Sequence, residues 1–162
     1  MPSVHIRPAA PADMAAILRF ITDLAIYEKA EEQAQATPDQ LQATLFAPDA
    51  RAHALMCERD GQPIGYAVYF FNYSTWQGRH GLYLEDLYVD PAARGSGAGK
   101  AMLQHLARIA VDRDCGRFEW SVLDWNQSAI DFYESLQAEP QSEWVRYRLT
   151  GDALLRLAQP VS

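Results

Sequence analysis

Residues 94–100 read Arg-Gly-Ser-Gly-Ala-Gly-Lys, three glycines at alternate positions bracketed by two cations. So little side chain leaves consecutive backbone N–H groups uncovered and able to converge on one point. Met102, Leu103, Leu106, Ile109 and Ala110 follow at helical spacing. The loop therefore runs into a helix whose first amides and positive dipole end face the same point. Such a corner binds phosphate. Spacing separates the kinds of phosphate loop it could be. A nucleotide-hydrolase P-loop ending on Gly99-Lys100 needs glycine at Arg94 and a hydroxyl side chain at Ala101. A dinucleotide fingerprint starting at Gly95 needs glycine at Lys100. Neither requirement is met.

The loop needs a strand in front of it. Leu82–Val89 is dense in aliphatic and aromatic residues, as in a strand covered on both faces, and Asp90-Pro91 ends it. Ser3–Arg7 is a further strand candidate. A helix starts near Pro11 and carries Met14, Ile17, Leu18, Ile21, Leu24 and Ala25 to about Tyr27. Thr37-Pro38-Asp39-Gln40 reads as a capping box opening a short helix. Ala52–Arg59 and Ile64–Tyr73 flank Asp60-Gly61 and should form a hairpin, with residues 74–81 a loop. The helix after the glycine loop should run to about Asp114, with Gly116 as terminator. Arg117–Leu123 should be a strand parallel to the one before it by the crossover rule. Asn126–Leu136 is a short helix, Glu143–Leu149 a last strand and Asp152–Ala158 a closing helix. One α+β domain with a mixed sheet, residues 1–162, is expected.

Composition narrows the function. The formal net charge of −7 argues against nonspecific nucleic-acid binding, which needs clustered Lys and Arg, and is compatible with a cationic small-molecule substrate. Cys57 and Cys115 fit no metal or redox spacing, and the four histidines form no ligand pair, so no metal site is expected. The N-terminus lacks the pattern of a secretory signal, and the longest apolar run, Ile64–Phe71, is too short to span a bilayer. A cytoplasmic protein with no membrane partner is expected.

The strand ending in Val-Asp-Pro, followed by Arg94-Gly95-Ser96-Gly97-Ala98-Gly99, resembles the acyl-CoA pyrophosphate loop of the GNAT superfamily of N-acetyltransferases. The element order is that of the same superfamily. GLYLEDLYVDPAARGSGAGK, WNQSAIDFYESL and the Tyr27-Glu28 pair are similar to the spermidine/spermine (diamine) acetyltransferases and their thialysine-acetylating relatives. The resemblance spans nearly the whole chain. It implies helices on both faces of a mixed sheet whose parallel fourth and fifth strands splay apart. It implies acetyl-CoA as co-substrate, its pantetheine arm along the backbone of Leu87, Tyr88 and Val89. Its pyrophosphate would lie on residues 94–100, with Asn126 across the gap. Lys100 departs from the small residue of the diamine enzymes and would add a point charge to a phosphate. A homodimer is also implied.

Amide formation from a thioester needs a neutral amine. Deprotonating a primary ammonium at pH 7 costs about 4–5 kcal/mol, and a carboxylate at the acceptor is the natural device. Glu85 is the candidate: it sits mid-strand in an apolar setting where an unpaired carboxylate would be costly. Adjacent strand residues point to opposite faces, so Asp86 is expected to face solvent or pair with an arginine. The resemblance assigns Tyr133 as general acid to the departing sulfur, leaves Phe132 to packing, and gives a carbonyl-polarising backbone N–H near Leu87. It also places Tyr27, Glu28 and Glu143 against a polyamine. The reaction so implied is direct acetyl transfer, in a ternary complex, to a polyamine, diamine or lysine-like amino acid. Other acceptors (an aminoglycoside, another amino acid, a protein N-terminus) and a noncatalytic acyl-CoA-binding module are the alternatives.

Overall fold

The computed structural model describes residues 3–161. They divide into two compact units, the first running to Leu123 and the second beginning at Asp124. The first unit is a five-stranded sheet with three helices. Its order is β1 (His5–Pro8), α1 (Met14–Tyr27), α2 (Pro38–Leu45), β2 (Ala52–Arg59), β3 (Gln62–Ser74), β4 (Arg79–Val89), α3 (Ala98–Asp112) and β5 (Phe118–Trp120). The strands lie in sequence order, antiparallel except for the parallel pair β4–β5. This is the mixed α+β sheet expected from the sequence.

Local chemistry explains the elements. The Thr37 hydroxyl accepts from the Gln40 amide at 3.2 Å and the Gln40 side chain accepts from the Thr37 amide at 3.0 Å, the reciprocal cap expected at α2. Asp60 and Gly61 both take positive φ, 52° and 75°, the twisted turn a tight hairpin requires. Alternation along β2, β3 and β4 feeds two cores. On one face Met56, Tyr66 and Tyr88 meet Ile17 and Phe20 of α1, with the Phe20 and Tyr66 rings stacked at 5.7 Å. On the other face Leu55 and Tyr69 share a cavity wall with His105 and Ile109 of α3. Helices thus cover both faces of the sheet.

Most ends shift by a few residues from the sequence reading, and three of the differences bear on β4 and its neighbours. The strand Arg117–Leu123 is only Phe118–Trp120, paired with Leu82–Leu84, and β4 starts at Arg79, inside the expected loop. Helix α3 ends through Asp114 at φ 58° rather than at Gly116. The Cys115 amide closes back on the Ala110 carbonyl at 2.8 Å, while the Gly116 amide donates to His80 at the strand entry.

The second unit contains α4 (Gln127–Ser135) and α5 (Gly151–Leu157). The expected strand Glu143–Leu149 is not one: these residues are exposed and in no ladder. Strand-forming side chains do not make a strand without a neighbour to pair with, and this unit offers none among the described residues.

Candidate active site

Strand β4 and the turn behind it set up one half of the site. Asp90-Pro91 stops the strand, and the chain crosses to α3 through the glycines. Gly95 and Gly97 sit at φ 79° and 83°, a backbone region that side chains resist, with open space where a Cβ would project. Gly97 is the N-cap of α3 and no side chain caps it. The first amides of α3 lack acceptors within the helix, so they present donors and a positive dipole end on that open side. Arg94 and Ser96 are exposed, as is Lys100 on the first turn of α3. Ser96 folds back, its hydroxyl donating to the Ala93 carbonyl.

Beside this corner the sheet opens. β5 stops at Trp120 opposite Leu84, whereas β4 continues five residues further to Val89. Leu87, Tyr88 and Val89 pair with Ala67, Tyr66 and Gly65 on one edge and face no strand on the other among the described residues. The Val89 carbonyl accepts from Arg94 Nε at 3.1 Å. An extended chain could therefore add to the edge at Leu87 and Tyr88, leading away from the phosphate corner. A ligand with a diphosphate and an amide-bearing arm fits these groups.

The other half of the candidate site lies where β3, β4 and the end of α1 meet. The register slips by one between Val68 and Tyr69: Val68 faces Asp86, Tyr69 faces Leu84, and Glu85 is the extra residue of a bulge. This corrects the expectation for Asp86. A bulge suspends strict alternation, so Asp86 is not sent to solvent or to an arginine but turns to the α1 face, where the Tyr66 hydroxyl donates to its Oδ2. Burial raises the Asp86 carboxyl above the usual range, and the Tyr66 hydrogen bond pulls it partly back. Glu85 itself is exposed, not enclosed in the apolar setting read from its neighbours.

Glu28 completes the group. Helix α1 ends with Lys29 at φ 60°, and the Ala30 amide returns to the Ala25 carbonyl at 2.8 Å. That closure fixes Tyr27 and Glu28 at the helix's negative end. Burial raises the Glu28 carboxyl, and the charges of Asp86 and Glu85 raise it further. Three carboxylates are thus gathered, and none takes part in an ion pair among the described residues. Tyr27 touches the glycine-loop half as well: the Arg94 guanidinium stands 5.1 Å over its ring and 5.7 Å from that of Tyr88.

Of the residues expected from the sequence, the first unit therefore collects Tyr27, Glu28, Glu85, Leu87, Tyr88, Val89 and the loop 94–100. Asn126, Tyr133 and Glu143 belong to the second unit. There the Asn126 side-chain oxygen caps α4, accepting from the Ala129 amide at 3.4 Å. Tyr133 is half-buried with its ring 5.8 Å from that of Phe132, and Glu143 is exposed in no element. Asp86 and Tyr66 are the residues the sequence reading missed. A bulge leaves no mark in an alternating pattern, so only the presence of a tyrosine and an acid on the two strands either side of the loop 74–81 could have pointed to them.

The acetyltransferase (GNAT) family pattern matches residues 18–137, which carry both halves of this site. The chain belongs to that family. GNAT enzymes transfer acetyl groups to amines and use acetyl-CoA as co-substrate, the diphosphate-bearing ligand that the loop and the open strand edge fit. A thialysine N-epsilon-acetyltransferase of Sus scrofa is 40% identical over 169 aligned positions, covering 98% of this chain and 99% of the relative. A spermidine/spermine N(1)-acetyltransferase-like protein 1 of Homo sapiens is 33% identical over 95% of this chain and 24% of the human protein. Among solved structures, an integron cassette protein from the mobile metagenome of V. cholerae superposes with a TM-score of 0.80 at 26% identity. That superposition covers 98% of this chain and 99% of the cassette protein.

Proposed function

We propose that this GNAT enzyme transfers acetyl from acetyl-CoA to the primary amine of a lysine-like amino acid, diamine or polyamine. What supports this reading is the group Glu28, Glu85 and Asp86, three carboxylates without an ion-pair partner among the described residues, at the end of an open strand edge. Asp86 is half-buried while Glu28 and Glu85 are exposed beside it; negative charge gathered in this way is relieved by a cation, and an ammonium supplies one. The relatives named for thialysine and for spermidine/spermine acetylation support the same acceptor class.

Acetyl-CoA supplies an activated acetyl thioester. The chain's own residues do the rest. Amides and side chains of Arg94, Gly95, Ser96, Gly97, Ala98, Gly99 and Lys100 hold the diphosphate. The edge of Leu87, Tyr88 and Val89 orients the arm, and Asn126 adds a further cofactor contact. Asp86 and Glu28 collect the ammonium, with Tyr27 and Glu143 along the acceptor path. Glu85, exposed beside them, takes the amine's proton directly or through water. Tyr133 Oη supplies a proton to the departing sulfur. The chain works as one domain over residues 1–162, as a cytoplasmic homodimer without nucleic-acid or membrane partners. No helix among the described residues is long and apolar enough to cross a membrane. Sedimentation at micromolar concentration should give twice the chain mass; a single-chain mass removes the dimer.

Thiol release over a panel of amines tests the main reading. Lysine analogues, diamines and polyamines should turn over fastest. Preference for aminoglycosides or peptide N-termini would replace the acceptor class, and CoA binding without thiol release from any amine would overturn transfer itself. Tyr133→Phe should lower kcat far more than it weakens CoA binding; unchanged turnover removes Tyr133 from the reaction.

A further inference from the structure

We infer that Tyr66 is a positioning residue for the acceptor: its phenol, reaching through the core from β3, aims Asp86 at the amine and holds it ionised to receive an ammonium. The inference rests on the proposed acceptor reading and adds to it a residue that touches neither substrate.

Tyr66 is fully buried, 0% exposed, and its ring is fixed by stacking on Phe20. Its hydroxyl lies in an interior where an unpaired O–H would be costly, and it donates to Asp86 Oδ2. A tyrosine there is not required for filling space, because phenylalanine would fill the same volume without the polar group. Among the described residues the hydroxyl's hydrogen bond goes to the carboxylate. Burial raises the phenol far above its ordinary range, and the neighbouring acids raise it further, so it remains a donor at every working pH. A donor that never titrates fixes one oxygen of Asp86 and leaves the second lone-pair set for the acceptor.

The titratable groups around Asp86 are Tyr66 from β3, Glu85 beside it on β4 and Glu28 from the end of α1. Arg94, the cation on the donor side, is engaged over Tyr27 and Tyr88. Burial works against the charged form of Asp86 and the phenol works for it. Removing the hydroxyl therefore makes Asp86 hold its proton to higher pH, and a neutral carboxylic acid no longer attracts an ammonium.

Tyr66→Phe tests this. The acid limb of kcat/KM for the amine should move to higher pH, with a loss of about tenfold at the wild-type limb, equivalent to one pH unit. Activity should recover on the alkaline plateau, and CoA affinity should be unchanged. A purely structural role would instead lower activity by the same factor at all pH values, and that result overturns the inference. In an Asp86→Asn background, Tyr66→Phe should produce no further limb shift; an equal shift there also overturns it. Carbon-13 NMR titration of the Asp86 carboxyl reads the pair without turnover. Its midpoint should rise in Tyr66→Phe, and an unmoved midpoint sinks the inference. If the midpoint rises while wild type acetylates no amine, the acceptor reading falls and the Tyr66–Asp86 pairing stands.

Discussion

Two clusters of acids in the first unit are built in opposite ways. At the start of the sheet, Arg7 reaches Asp13 with both terminal nitrogens, at 2.7 and 2.8 Å, and Glu58 at 2.7 and 3.0 Å. The Arg7 hydrogen bond is the main reason the Asp13 carboxyl lies below its ordinary range. The Ala10 amide adds a third donor at 2.7 Å. Every charge there is answered, and the cluster ties β1 and β2 to the turn before α1. At the other cluster Glu28 and Asp86 are both raised by burial, and a neutral phenol replaces the guanidinium. The same residue types hold the fold in one place and, on the proposed function, receive a ligand in the other. What distinguishes them is the partner, not the acid.

Exchanging one acid for its amide probes the waiting cluster hardest. Asp86→Asn keeps an oxygen for the Tyr66 hydroxyl but removes the charge. It should lower kcat/KM for the amine by about 100-fold or more, by steady-state thiol release, while raising Tm because the buried charge is gone. A lower Tm would mean the acid stabilises the fold and the contrast is false.

Removing the cation of the answered cluster should do the reverse. Arg7→Met leaves two partly buried carboxylates opposed and should cost about 2 kcal/mol, a fall in Tm of about 4–8 °C. Activity per folded molecule should stay level. Glu28→Gln has a smaller effect: KM for the amine should rise about tenfold, the worth of one charge-assisted contact, with kcat nearly unchanged.

The finest test uses pH. Asp13 is depressed in the folded state, so its stabilisation is present above the ordinary carboxylate range and is lost as pH falls through and below about 4. Asp86 is raised, so its ionisation in the folded state works against stability above its own titration, and protonation on acidification relieves that. Calorimetric Tm values for wild type and Asp86→Asn should therefore converge as pH falls from 7 towards 4. A difference that stays constant would place Asp86 among ordinary surface acids.

Which parts of this contrast could be read from the sequence follows from how each is encoded. The glycine loop, the capping box at Thr37 and the hairpin at Asp60-Gly61 are written in neighbouring residues, because backbone conformation and capping are local. The strand-to-helix crossing at Asp90-Pro91 is legible for the same reason. Asp86 was misplaced because its environment depends on a slip in register between strands almost twenty residues apart. Glu143–Leu149 has the side chains of a strand, and among the described residues of its own unit no neighbour makes it one. Asn126 shows a further limit: the side chain expected at a cofactor is also what starts its own helix, and one residue's type cannot separate the two uses.

The bulge at Glu85 carries a consequence for how such a site can change. Because Leu84 and Asp86 already sit opposite consecutive residues of β3, a chain lacking Glu85 would close the ladder with every other side chain on its present face. The extra acid is an insertion the scaffold does not need. Its chemistry can be gained, lost or exchanged without recasting the core, so acceptor preference can drift while the architecture stays put.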